Sequence, residues 1–221
     1  MAAGRLAEYD SRQAINRLKI TEAHWRWAEH RRLIPAPDAT EGRWLRATVE
    51  AIDTAKIRRE LPDGPIGNYE AASRIAAALG TPNPPGGPDH VKAFTVRRFI
   101  GRGLLVALSW DRACVHPGQL DRLCRRTTLR RLVDEETPLG PDQSAARLGI
   151  RRSDWDHIVR LGWAKPVDWQ KVQFGSSKAG AVDVPVYRSG DVDAIPRRRK
   201  AVDWEQLRGL GKGQRSPLAK L

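Results

Sequence analysis

The strongest constraint on this chain is that its sequence repeats itself. Gln13, Arg17, Leu18, Ile20 and Trp25 recur 130 residues later as Gln143, Arg147, Leu148, Ile150 and Trp155. Further on, Leu33 falls on Trp163, Pro35 on Pro166 after a one-residue slip, and Val49, Ala51 and Ile52 on Val192, Ala194 and Ile195. Chance rarely keeps the apolar positions of several successive elements in step, so the fold must be built from repeated units. A fainter middle copy sets Val96, Phe99, Gly103 and Leu104 at the spacing of Trp155, Ile158, Gly162 and Trp163, with Leu120 and Leu123 matching Val192 and Ile195. Leu79-Gly80 matches Leu148-Gly149 once a Pro/Gly-rich insertion at 81–90 is looped out.

Each copy reads as a short helix, a tight turn, a second helix, a polar hairpin and a closing helix. Asp10 or Ser11 is suited to start the first helix, with Ala14, Ile15 and Leu18 on one face, and Thr21 to start the second. On the second helix Trp25, Ala28 and Leu33 make the apolar stripe, which marks Trp25 and Trp155 as core residues and leaves Trp27 without an assigned role. Residues 36–43 read as a hairpin-like link with Trp44 on its returning strand, ahead of a helix over 46–61. In the middle copy Asn68 is the expected cap, residues 104–110 a strand, Asp111-Arg112 a turn, and 118–135 one long helix. In the third copy residues 167–174 and 182–187 read as a larger hairpin. These boundaries give modules at 9–61, 66–136 and 141–196, with 197–221 a flexible basic tail. The fold class is mainly α with small β-wings: tandem winged helix-turn-helix modules.

Composition narrows the partner. The net charge is +13, from 39 Lys and Arg against 26 Asp and Glu, and residues 196–221 supply +6 of it through eight basic and two acidic side chains. Such a field attracts polyanions. Placement sharpens the reading, because arginines cluster in or beside each second helix. The candidate DNA-contacting residues are Thr21, Glu22, His24, Arg26, His30 and Arg43 in the first module and Thr95, Arg97 and Arg98 in the second. In the third they are Arg151, Arg152, Ser153, Asp156, His157 and Arg160, then Lys171 and Lys178 on the hairpin and Arg197, Arg198 and Arg199 after it. Arginine pairs with guanine through two donors and a carboxylate accepts from cytosine, while most contacts on duplex DNA go to phosphate and sugar.

Other chemistries find little in the sequence. His24 and His30 are not spaced as a metal pair, no Walker loop is present, and neither Gly101-Arg-Gly103 nor Gly209-Leu-Gly211 extends to a dinucleotide fingerprint. No nucleophile and base stand in a defensible arrangement, so the expectation is a non-enzyme without cofactor or metal. Cys114 and Cys124 lack metal or redox spacing and read as buried thiols. The first ten residues lack an apolar core and no apolar run approaches membrane length, which points to a cytosolic protein.

The run Ile20-Thr-Glu-Ala-His-Trp-Arg-Trp-Ala-Glu-His-Arg-Arg-Leu-Ile-Pro35 and its counterpart over 150–166 resemble the second helix and the approach to the wing in MerR-like and excisionase-like winged helix-turn-helix domains. Thr21, Arg26 and Leu33-Ile34-Pro35 stand at that family's turn residue, helix arginine and helix exit. The dimerising helix and effector site of MerR regulators have no counterpart, so metal or drug sensing does not carry over. The resemblance implies binding of double-stranded DNA by second helices in successive major grooves, as a transcriptional regulator and specifically a repressor. The alternative is an architectural factor of a mobile element, such as an excisionase, partition or replication-initiation protein. A protein partner for the middle module or the tail is a further expectation.

Overall fold

The computed structural model describes residues 7–173 and 180–221. The fold is mainly helical, with short antiparallel sheets, and divides into two units, Met1–Leu129 and Arg130–Leu221. A short strand, two helices, one strand or, in the third copy, two, and a closing helix follow one another three times along the described chain.

In the first unit, β1 (Glu8–Tyr9) leads into α1 (Ser11–Leu18) and α2 (Glu22–His30). Asp10 caps α1 reciprocally: its carboxylate accepts the Gln13 N–H at 2.8 Å while Gln13 Oε1 accepts the Asp10 N–H at 3.0 Å. Lys19 turns the chain in the left-handed region at φ 53°, and Thr21 caps α2 through the His24 N–H. Trp25 is fully buried and meets Trp44 edge-on, with ring centroids 5.1 Å apart, over Ala14, Ile15, Val49 and Ile57. Trp44 opens β2 (Trp44–Leu45), but its partner is β1, with Tyr9 opposite Trp44. The hairpin expected around residues 36–43 is therefore absent, and a 3-10 turn at Thr40–Gly42 stands there instead. The expected helix over 46–61 is also two, α3 (Arg46–Glu50) and α4 (Thr54–Glu60), because Asp53 accepts the Lys56 N–H and caps a new start.

The second copy contains β3 (Ile66–Gly67), α5 (Asn68–Ala78), α6 (Ala93–Gly101), β4 (Cys114–Val115) and α7 (Pro117–Cys124). Gly67, not Asn68, occupies the α5 cap, and the insertion is irregular, pinned by paired bonds between the Asn83 amide and the Val91 backbone at 2.9 and 3.0 Å. Residues 104–110 form no strand. Leu105 and Leu108 are buried as irregular chain, and β4 pairs with β3, Gly67 opposite Cys114. The long helix expected over 118–135 breaks after Cys124, and α8 (Leu129–Glu136) begins a separate element. Cys114 and Cys124 are half-buried free thiols, and burial is the main cause that pushes the Cys124 thiol up.

A second small core joins the two copies within this unit. Ala23, Trp27, Leu61 and Leu108 are buried together, and His116 lies against Trp27 with ring centroids 4.0 Å apart. His116 Nε2 lies 2.8 Å from the Glu60 carbonyl, and its Nδ1 accepts the Gln119 N–H at the start of α7. Replacing Trp27 with alanine should cost the unit about 3–5 kcal/mol. Phenylalanine should cost far less, because the Trp27 indole N–H has no hydrogen-bond partner in this core. Urea unfolding of the two variants checks the ranking.

The second unit holds α8 from Arg130 onward, β5 (Pro138–Leu139), α9 (Pro141–Leu148), α10 (Arg152–Arg160), β6 (Asp168–Val172), β7 (Val182–Arg188) and α11 (Ser189–Arg198). Its sheet order is β5-β7-β6, antiparallel throughout, with β6 and β7 in register from Asp168 opposite Val186 to Val172 opposite Val182. Trp155 is fully buried and meets Tyr187 edge-on at 4.9 Å, over Leu148, Ile158, Val192 and Ile195. From Arg130 onward α8 belongs to this second unit, whereas the sequence reading extends the middle module to residue 136. Arg188 bonds Glu135 at 2.9 Å and the fully buried Glu136 at 2.5 Å, Arg147 bridges Asp134 and Asp193, and the Ser189 hydroxyl donates to the Asp134 carbonyl.

The tail is the largest departure from expectation. Residues 197–221 are folded: α12 (Trp204–Arg208) and a 3-10 turn at Pro217–Lys220 bury Trp204, Leu207 and Leu218 in the core of Trp155 and Ile158. Asp203 caps α12 through the Gln206 N–H, as Asp53 caps α4. No described helix is long and apolar enough to cross a membrane.

Candidate nucleic-acid interface

The second helices of the three copies can be compared position by position, because Trp25, Val96 and Trp155 occupy the same core site, each fully buried. What differs is the face turned away from that core.

On α2 this face is closed. Glu22 accepts the Trp110 N–H, Arg26 Nε donates to the Ala107 carbonyl at 2.7 Å, and Ala23 and Trp27 are buried against the 106–116 segment. Thr21 is spent as the cap, and its hydroxyl lies 2.7 Å from His24 Nδ1. Burial holds His24 below the ordinary imidazole pKa, against a backbone hydrogen bond with Leu61 that raises it, while nearby Arg58 adds to the lowering. His30 stays exposed and Arg43 is half-buried ahead of β2. The sequence offers Glu22 and Arg26 as base readers, but intramolecular carbonyl and amide groups already occupy them.

On α6, Thr95 is 2% exposed and belongs to the interior, a correction to its candidacy. Arg97 is exposed, its guanidinium 5.8 Å from the Phe94 ring centre, and Arg98 is half-buried.

On α10 the face is open. Arg152, Ser153, Asp156 and Arg160 are exposed and His157 is half-buried. These residues lie where Glu22, Ala23, Arg26, Trp27 and His30 lie on α2. Arg152 is held between two carboxylates, Asp142 at the start of α9 at 3.0 Å and Asp156 one turn along its own helix. Arg160 reaches the Leu218 carbonyl at 3.1 Å and remains exposed. Arg151 differs from its neighbours. It grips the fully buried Asp154 with two bonds of 2.7 and 2.9 Å and donates to the Gly211 and Gln214 carbonyls at 2.7 and 2.8 Å, so it ties the tail to α10 and is no reader.

Burial pushes the Asp154 carboxyl up, but hydrogen bonds from Arg151 and Ser216 outweigh it and leave the group below its ordinary range. A depressed folded pKa contributes stability above the unfolded value of about 3.9 and loses it as pH falls through the folded one. The second unit should therefore weaken on acidification below that range. Asp154→Asn should lower stability at neutral pH and flatten the acid loss, which urea midpoints recorded against pH would reveal.

Basic groups continue beyond the helix. Lys171 is exposed on β6, and Lys178 lies outside the described residues. Arg197 and Arg198 are exposed in the last turn of α11, and Arg199 lies 5.0 Å over the Trp163 ring. Trp163, Lys165, Tyr187, Ile195, Arg198 and Arg199 border a groove of about 390 Å3. Sequence reasoning missed Asp142 and the tail carbonyls. Asp142 stands ten residues before Arg152, at no helical interval, whereas the Arg152–Asp156 pair at i,i+4 was readable.

No family model, curated protein or solved structure matches the chain.

Proposed function

We propose that the chain binds a specific double-stranded DNA site and acts as a transcriptional regulator by occupying it. The reading element is α10, the second helix of a winged helix-turn-helix in the second unit. The carrying observation is the contrast between two equivalent faces. On α2 the face holds Ala23 and Trp27 and is closed by the 106–116 segment, whereas on α10 it holds Arg152, Ser153, Asp156 and Arg160 and is open. A polar, arginine-bearing face at the N-terminal half of such a helix is what base edges in a major groove require.

The exposed arginines of α11 and a net charge of +13 supply the phosphate attraction that holds the helix on the duplex. Arg152 supplies paired donors for guanine. Asp156 competes for them and accepts from cytosine once Arg152 leaves it. The first two copies serve this reading as scaffold, since α2 and Thr95 are committed to the interior, and recognition by three helices in successive grooves is given up.

Selection of bound duplexes from a random pool, at two salt concentrations, tests the proposal. Enrichment of a short motif that survives the higher salt is the expected result. Binding that vanishes with salt and enriches nothing would reduce the role of the charge to phosphate contact alone.

A further inference from the structure

Strand β6 is the outer strand of its sheet, paired with β7 on one side and, among the described residues, with nothing on the other. A bare strand edge is a template for another chain, and proteins usually blunt it with proline, charge or a covering element. On its side away from β6, the stretch of β7 that β5 does not reach has such a guard in Pro185, because a proline within a paired strand must turn its nitrogen to the unpaired side. β6 reads Asp168-Trp-Gln-Lys-Val172 and has no proline. The hairpin around it also shows apolar surface: Trp169 is 58% exposed and Val182 50%.

We propose that β6 pairs antiparallel with β6 of a second copy of this chain, making one continuous sheet across two protomers. The strand suits a two-fold axis at Gln170. In that register Trp169 faces the partner's Lys171 and Lys171 faces the partner's Trp169, so each ammonium group meets an indole face. Asp168 then stands opposite the partner's Val172. A parallel pair, or an antiparallel one centred on Lys171, would set the two lysines against each other, which selects the Gln170 register. Lys171, alone a guard against pairing, becomes complementary to the very edge it guards.

The pairing needs no DNA, so it stands or falls separately from the proposed function. If both hold, two α10 helices act on one duplex, and a reading helix that covers a short segment gains the longer site that dimers recognise.

Sedimentation equilibrium of the full chain without DNA tests this. A concentration-dependent dimer is expected, and because each copy carries +13 it should tighten as salt is added, the opposite of phosphate contacts. Trp169→Asp should weaken it roughly tenfold or more. With Cys114 and Cys124 replaced by serine, Gln170→Cys should form a covalent dimer under mild oxidation, since the self-paired position brings its two Cα atoms to about 5 Å. Asp183→Cys, exposed on β7 away from the free edge, should not. A monomer at all concentrations, or cross-linking no faster at Gln170→Cys than at Asp183→Cys, overturns the proposal.

Discussion

Arg152→Ala is expected to lower affinity for the selected duplex by about 1–3 kcal/mol, a factor of roughly 5 to 150, and to flatten base preference at one position of the site. Arg26→Ala, which removes an arginine from the equivalent helix, should leave both nearly unchanged. The two residues are alike in the sequence, each on a second helix and each in a basic cluster. They differ in what already holds them. The Arg26 guanidinium donates to the Ala107 carbonyl inside the first unit, so its loss leaves a half-buried acceptor without that donor and appears as reduced thermal stability. Arg152 is paired with the exposed carboxylates of Asp142 and Asp156, pairs worth little in water that a guanine edge can replace. Binding titrations against the selected site and a scrambled one, with melting curves of both variants, separate the roles. Equal weakening on both duplexes would make Arg152 a phosphate contact. A loss of selectivity in Arg26→Ala would place α2 on the DNA and sink the scaffold reading.

Sequence reasoning located the helices better than their surroundings. Caps and turns are local chemistry, so Asp10, Thr21 and Gly149 could be read without knowing the fold: a short polar side chain meets free N–H groups, and a glycine takes a left-handed turn at φ 68°. The buried stripe of Trp25 and Trp155 was legible for the same reason, since helical spacing needs only one element. Which face meets another part of the chain was not. The apolar run at 104–108 has the composition of a strand, yet it lies as irregular chain with Leu108 in the small core beside Trp27. Trp27, off the core stripe of its own helix, was the signal that α2 carries two apolar faces. A helix with two such faces is packed on both sides and has no free side for a groove.

Removing residues 200–221 should prevent the second unit from folding stably, although this segment looks in the sequence like a charged, dispensable tail. Deletion takes Trp204, Leu207 and Leu218 from the core around Trp155. Large-to-small changes at single core sites of this kind cost about 2–5 kcal/mol each, and the three together rival the roughly 5–15 kcal/mol that holds a domain folded. The deletion also strips Arg151 and Arg160 of the Gly211, Gln214 and Leu218 carbonyls, so the side of α10 that the tail covers would be opened along with the core. The clue was present in a different register from the main repeat. Ile52-Asp53 with Ile57 recurs as Val202-Asp203 with Leu207, offset by 150 residues because the third copy has both a larger hairpin and, in α11, a longer helix than α3. The two aspartates adopt matching backbone angles, φ −74° with ψ 91° and 92°. Charge and packing can be separated by two further variants. Replacing Arg197, Arg198 and Lys200 with glutamine should weaken DNA binding and leave the urea midpoint in place, whereas Leu207→Ala should lower that midpoint with all the charge retained. If the truncated chain instead unfolds with the cooperativity and midpoint of the intact one, α12 contributes no stability and the tail is only a charged extension.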